Sequence, residues 1–136
     1  MFRHAVGHEN LTGQIIGGAI EVHSALGAGL LESVYDDCLA DELGQVGLSF
    51  VRHHHVPIIY KGRRLSQRLF VDFIVGDVVL VEVKAVDAIA AVHVAQVITY
   101  LKLTGCPVGL LINFNVPSLR NGGVRRQYNP DVYKRQ

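Results

Sequence analysis

The spacing of hydrophobic positions changes period along the chain. Over residues 11–26, LTGQIIGGAIEVHSAL, the apolar positions Ile15, Ile16, Ala19, Ile20, Val22 and Leu26 recur at helical intervals, and Thr12 is placed to cap the helix. Gly17 and Gly18 lower its propensity and permit close packing. GAG at 27–29 interrupts it, and a second helix is predicted over about 30–44 from Leu31, Val34, Cys38, Leu39 and Leu43, stopped by Gly44 or Gly47. The segment SFVRHHHVPIIYKGRRL then mixes β-branched and aromatic residues around Pro57. It reads as a strand near a sheet edge, ending at a Lys61–Gly62 turn. Two further strands, about 68–75 and 78–85, meet around Gly76–Asp77. Helical spacing returns over 87–103 through Ile89, Val92, Ala95 or Gln96 and Tyr100, and Gly105 and Pro107 end it. VGLLINF, 108–114, reads as a buried last strand, and the chain after Asn115 reads as loop. The order α-α-β-β-β-α-β predicts an α/β fold, a mixed central sheet flanked by helices, closing with a right-handed parallel strand–helix–strand crossover.

Composition narrows the class. A chain of 136 residues suits one domain and one core, assigned here to residues 1–130. With 49% hydrophobic and 18% charged residues it is globular rather than disordered. A net charge of +1 does not advertise nucleic acid, so any such role must rest on a site. The charge is uneven, though: Arg52, Lys61, Arg63, Arg64 and Arg68 fall between 52 and 68 with no acid among them. Cys38 and Cys106 lack metal-ligand spacing and read as reduced thiols of a cytoplasmic protein. MFRHAVGHEN has no signal-peptide core, and the apolar region 69–101 is too often broken by charge to span a membrane, so no membrane association is expected. The last six residues, DVYKRQ, continue no pattern. They back-translate as GAT GTG TAT AAG AGA CAG, the end sequence of a transposon used to prepare sequencing libraries, so 131–136 are expected to be a non-native tail.

The chemistry lies in FVDFIVGDVVLVEVKAV, an apolar stretch that nonetheless carries Asp72, Glu82 and Lys84. Period two puts Glu82 and Lys84 on one strand face. A two-residue hairpin loop would send Glu82 to the face away from Asp72. A three-residue loop, Gly76–Asp77–Val78, pairs Val75 with Val79 and sets Asp72 opposite Glu82, and this register is the one expected. Carboxylates on directly opposed residues, about 5 Å apart at Cβ, repel unless a cation lies between them. A hard divalent ion, Mg²⁺ or Mn²⁺, suits such a pair. Lys84 would then orient a water or meet charge developing on a phosphate, and the Val83 carbonyl would add a ligand. The alternative is a plain ion network at a sheet edge.

On the following helix Gln96 and Tyr100 share a face with His93, and the first two are placed to touch a phosphate or base. Glu32, at the start of the second helix, is already suited to the helix dipole. In RHHHV only His53 and His55 share a face, and nothing completes a tetrahedral zinc set.

GLLESVY, Gly29–Tyr35, resembles the signature of the GxxExxY proteins. The likeness continues through IIGGAIEVHSALGAGLLESVY, YKG, VDFIVGDVVLVEVKAV, HVAQVITYLKLTG and VGLLINF, over about residues 11–128. Those proteins are placed in the PD-(D/E)XK nuclease-like superfamily. The resemblance implies a restriction-endonuclease-like core in which Asp72 is the motif Asp, Glu82 and Lys84 form its E-x-K, Gln96 and Tyr100 its Q-x-x-x-Y, and Glu32 the acid that joins the metal site. The triple His before VPIIYKG is a departure outside the motif. The expected function is a Mg²⁺- or Mn²⁺-dependent nuclease acting on DNA or RNA, with Arg63, Arg64 and Arg68 meeting backbone phosphates. The rivals are a non-catalytic module that binds nucleic acid or protein, and a small domain that pairs as a homodimer or with a protein partner.

Overall fold

A computed structural model describes residues 3–133, with side chains from residue 8 onward. Residues 134–136, half of the stretch expected to be a non-native tail, lie outside the described residues. The order is α1 (Arg3–Leu26), α2 (Glu32–Gln45), β1 (Phe50–Val56), β2 (Ile59–Tyr60), β3 (Arg63–Arg64), β4 (Leu69–Val75), β5 (Val79–Lys84), α3 (Ala91–Thr104), β6 (Val108–Asn113) and β7 (Val124–Tyr128). Five strands form one mixed sheet in the order β1-β4-β5-β6-β7, antiparallel except for the parallel β5–β6 pair that α3 connects. This is the α/β arrangement, a mixed sheet flanked by helices, that the periodicities predict, and it is consistent with the restriction-endonuclease-like core that the resemblance implies.

Two hydrophobic layers fix the helices to the sheet. On one face Phe73, Val75, Val79, Val81, Val83, Leu110 and Ile112 pack with Ile15, Ala19 and Val22 of α1 and with Tyr35, Leu39 and Leu43 of α2. On the other, Leu80 and Leu111 pack with Val97 and Leu101 of α3. β5 and β6, covered on both faces, are wholly apolar inside the sheet apart from Glu82, Lys84 and Asn113, as a parallel pair should be. Gly18 brings α1 against Glu42 of α2, whereas Gly17 meets open space.

Four expectations need correction. Thr12 does not cap a helix: α1 begins well before it, and its buried hydroxyl donates to the Glu9 carbonyl at 3.1 Å and accepts from Arg126 Nη2 at 3.0 Å. The segment read as one strand to Lys61 divides at Pro57, after which β2 and β3 form a separate two-stranded hairpin, with Lys61 and Gly62 as its turn. The third helix starts at Ala91 rather than 87, because His93 Nδ1 accepts the Ala90 amide at 2.9 Å and closes the first turn there. The chain after Asn115 is not all loop: β7, VRRQY, pairs with β6 as an edge strand. Its polar residues hid it, and such residues are what an edge strand uses to discourage further pairing.

The hairpin register is the one expected. Val75 pairs with Val79, Ile74 with Leu80 and Phe73 with Val81, so Asp72 falls opposite Glu82. The turn Val75–Val78 is closed by Val78 N–H to Val75 O at 3.1 Å and needs positive φ at Gly76 and Asp77, residue types that tolerate it.

Candidate active site

The regular β4–β5 ladder stops at Phe73–Val81, and side chains make the next step. Asp72 N–H donates to Glu82 Oε2 at 2.8 Å, and Val83 N–H donates to Asp72 Oδ2 at 2.7 Å. Each carboxylate therefore closes the gap left by the other strand's missing backbone partner. In an extended strand one residue's N–H and C=O point to the same neighbour, so the Val83 carbonyl also faces this gap. β1 is irregular at the same level. His53, the residue across from Asp72, has φ +48°, unusual for a side chain that is not glycine, while pairing resumes on both sides of it. The inward-facing set changes parity there too. Phe50 and Phe73 pack under α1 and α2, whereas Val56 and Val71 pack under α3, although each pair would share a face of a flat strand. The sheet is thus warped and opened at Asp72.

Glu32, the first residue of α2, reaches this opening. With Ser33, Asp36, Asp37, His53 and Asp72 it lines a cleft of about 200 Å³. The local sequence explains how α2 is aimed. Tyr35 is fully buried and stacked on Phe114 at 4.7 Å; its hydroxyl donates to Gly27 O at 2.6 Å and accepts from Leu30 N–H at 3.1 Å. One tyrosine thereby ties the Gly27–Leu30 loop down just before Glu32. Tyr35→Phe should cost about 0.5–1.5 kcal/mol by removing two part-buried hydrogen bonds, read as a lower urea midpoint; an unchanged midpoint would remove this role.

Lys84 is half-buried and makes a loose bond to Gln96 Oε1 on α3, at 3.5 Å. Beyond it, Asn113 is buried and grips Val86 by both backbone groups, Nδ2 to Val86 O and Val86 N–H to Oδ1, each at 3.0 Å, which fixes the strand end that carries Lys84. Tyr100 lies half-buried one turn from Gln96, against the α3-side core.

The electrostatics follow from burial. Glu82 is almost inaccessible. Burial first, and then the charge of Asp72, push its carboxyl up to about 8. Asp72 is raised too, chiefly by burial, while the Val83 amide opposes the shift and Asp36 and Glu32 add to it. Tyr100 is raised by burial and then by Glu82 and Asp72, which places its hydroxyl within their field. Lys84 is the cation that offsets both acids. Among the described residues no three His, Cys, Asp or Glu side chains already converge as a metal cage. The donor set nevertheless fits a hard divalent ion. Asp72 and Glu82 each give one oxygen to a backbone amide, leaving Asp72 Oδ1 and Glu82 Oε1 with no hydrogen bond to a described residue, and the pair carries excess negative charge when ionised.

Asp72, Glu82, Val83, Glu32, Lys84, Gln96 and Tyr100 are thus brought to one end of the sheet. Arg63, Arg64 and Arg68 are not part of the cleft: the first two stand exposed on β3, and Arg68 lies over the Phe70 ring at 5.5 Å. The sequence reading missed Asp36, Arg52 and His53. Asp36 is four residues after Glu32 and therefore on the same helical face, a signal that was available. Buried Asp36 is held by Arg52 Nη2, which also bonds Asp37 at 2.7 Å, and His53 Nε2 lies 3.5 Å from Asp36. The two acids, Asp37 first, hold the Arg52 guanidinium above its ordinary value. The histidine run thus contributes His53 to this cleft.

Residues 9–127 match the family model of the PD-(D/E)XK nuclease superfamily, and the chain belongs to that superfamily. No curated protein and no solved structure matches it. Among the described residues no helix is long and apolar enough to cross a membrane.

Proposed function

We propose that this member of the PD-(D/E)XK nuclease superfamily is a divalent-metal-dependent nuclease that hydrolyses phosphodiester bonds of DNA or RNA. The carrying observation is the reciprocal Asp72–Glu82 arrangement in the opened sheet, with Lys84 on the same strand. Asp72 and Glu82 would hold the ion, Mg²⁺ or Mn²⁺, with Glu32 joining from α2 and the Val83 carbonyl from β5. When bound, such an ion acts as a Lewis acid toward the phosphoryl oxygens and lowers the pKa of bound water. Lys84 donates to the attacking water or a non-bridging oxygen, and Gln96 keeps its ammonium in place. Water oxygen forms the new bond to phosphorus as the bond to the leaving sugar oxygen breaks, the water giving up its proton to solvent and the sugar oxygen taking one from solvent. Tyr100 steadies the substrate from α3. Arg63, Arg64 and Arg68 meet backbone phosphates outside the cleft. The likeness of GLLESVY to the GxxExxY signature supports a place among those proteins, and in this chain the tyrosine of that stretch, Tyr35, ties down the Gly27–Leu30 loop. A cytoplasmic location accords with the unpaired Cys38 and Cys106.

The test is isothermal titration of Mn²⁺ and Mg²⁺ into the wild type and Asp72→Asn, with cleavage assays on single- and double-stranded DNA and RNA. Saturable binding and cleavage, both lost in the variant, are expected. Absence of both from the wild type, even with a phosphate oligomer present, would leave the acids as a structural network and overturn the reading.

A further inference from the structure

Beyond the parity change, Val56 and Val71 face α3, so their neighbours His55 and Phe70 face the opposite side, the side on which α2 carries Glu32 and Asp36. His55 and Phe70 are paired across β1 and β4, one pair removed from His54–Val71 and two from His53 and Asp72. Phe70 is a large apolar ring left 44% exposed near the start of β4, with its centroid 5.4 Å from that of His55 and the Arg68 guanidinium 5.5 Å away. Farther along the chain β2 carries exposed Ile59 and Tyr60, with Lys61 Nζ 5.3 Å from the Tyr60 ring. Lys61, Arg63, Arg64 and Arg68 lie in a segment, 52–68, that holds no Asp or Glu, while Arg52 is paired with Asp36 and Asp37.

An exposed aromatic ring interleaved with cations is costly to leave in water and poorly suited to a protein core. It is well suited to a nucleobase, whose flat face stacks on the ring while Arg and Lys meet the phosphates. Duplex bases have both faces covered by their neighbours, so only an unpaired or splayed base can use such a ring. Phe70 is two residues along β4 from Asp72, about 7 Å at strand rise, near enough for a base flanking a phosphate held at Asp72 and Glu82. We infer that Phe70, with His55 and Arg68, is a base-stacking platform, and that the substrate of this site is single-stranded nucleic acid. The inference rests on the nuclease reading for the identity of the site, but the platform is tested without turnover.

The chain contains no tryptophan, so Phe70→Trp installs a single reporter on the platform. Binding is measured in EDTA, which removes metal chemistry, by anisotropy of labelled single-stranded DNA, single-stranded RNA and matched duplexes. Single strands are expected to bind more tightly than duplexes. Phe70→Ala should weaken single-strand binding at least about fivefold, the loss of one stacked base, while leaving duplex affinity unchanged. Phe70→Trp should retain affinity and show quenching of its fluorescence by single strands alone. Circular dichroism confirms that both variants are folded. A preference shared by DNA and RNA supports stacking as the shared chemistry, and a preference for one names the substrate. Equal affinity for strand and duplex, or a Phe70→Ala variant that binds as the wild type does, overturns the platform. Cleavage that ignores Phe70 and prefers duplex would sink the platform and spare the nuclease. Phe70-dependent single-strand binding without cleavage in Mg²⁺ or Mn²⁺ would sink the nuclease and spare the platform.

Discussion

Glu82→Gln is expected to slow metal-dependent phosphodiester cleavage on the order of 10³-fold and to abolish saturable Mn²⁺ binding, with the fold intact. The fold survives because the amide oxygen of Gln can still accept the Asp72 N–H that Glu82 Oε2 accepts at 2.8 Å. What disappears is the second negative charge at a buried point, and a divalent cation needs that charge to offset its dehydration. Lys84→Ala separates the remaining role. It should lower the cleavage rate by a similar factor while leaving the Mn²⁺ affinity equal or higher, since it removes the cation that competes for Asp72 and Glu82. The readouts are single-turnover rates and titration isotherms on all three proteins. Wild-type cleavage by Glu82→Gln would end the assignment of Glu82 as a metal ligand, and wild-type cleavage by Lys84→Ala would end the assignment of Lys84 to the chemistry.

The register that opposes Asp72 and Glu82 was legible in the sequence for a specific reason. Period two fixes the side of Glu82 and Lys84, and only an odd loop reconciles that side with Asp72 across Gly76–Asp77–Val78. The helices were legible where burial writes a stripe, as at Leu39 and Leu43, and misplaced where a side chain sets the boundary, as His93 does at Ala90. β7 was illegible because its backbone pairs while its side chains remain outside, so it carries no apolar alternation. The shape of the cleft was also illegible. The left-handed φ of His53 is a response to the warp between β1 and β4, and no residue type in RHHHV announces it. Consequently the sequence indicated Asp72, Glu82 and Glu32, and through its spacing from Glu32 also offered Asp36, but not His53, which lines the cleft where the sheet opens, nor Arg52, which holds Asp36.

The same opposition of acids should make the metal-free protein less stable as pH rises. Glu82 titrates near 8 in the folded chain against an ordinary value of 4.5. Between those limits the folded state holds a proton that the unfolded chain has released, so the stability of the folded state falls with rising pH. Below 4.5 both states are protonated and Glu82 contributes no slope; above 8 both are ionised and the whole penalty is present. The slope in the window is at most about 1.4 kcal/mol per pH unit. Sharing of the proton with Asp72 spreads the loss over the pair and makes it smaller than Glu82 alone would give. In EDTA the wild type should therefore lose melting temperature from pH 5 to pH 8 more steeply than Glu82→Gln, and the variant should be the more stable protein at pH 8. Excess Mn²⁺ at pH 8 should reverse that order, because an ion that binds only the folded state stabilises it by mass action, about 2.7 kcal/mol at 100 times Kd, and the variant gains nothing. Comparing the two proteins cancels what groups remote from Glu82 contribute, while Asp72, which shares the proton, belongs to the same penalty. Parallel wild-type and variant profiles in EDTA would show that Glu82 ionises without penalty, and the case for a cation between the two carboxylates would lose its electrostatic basis.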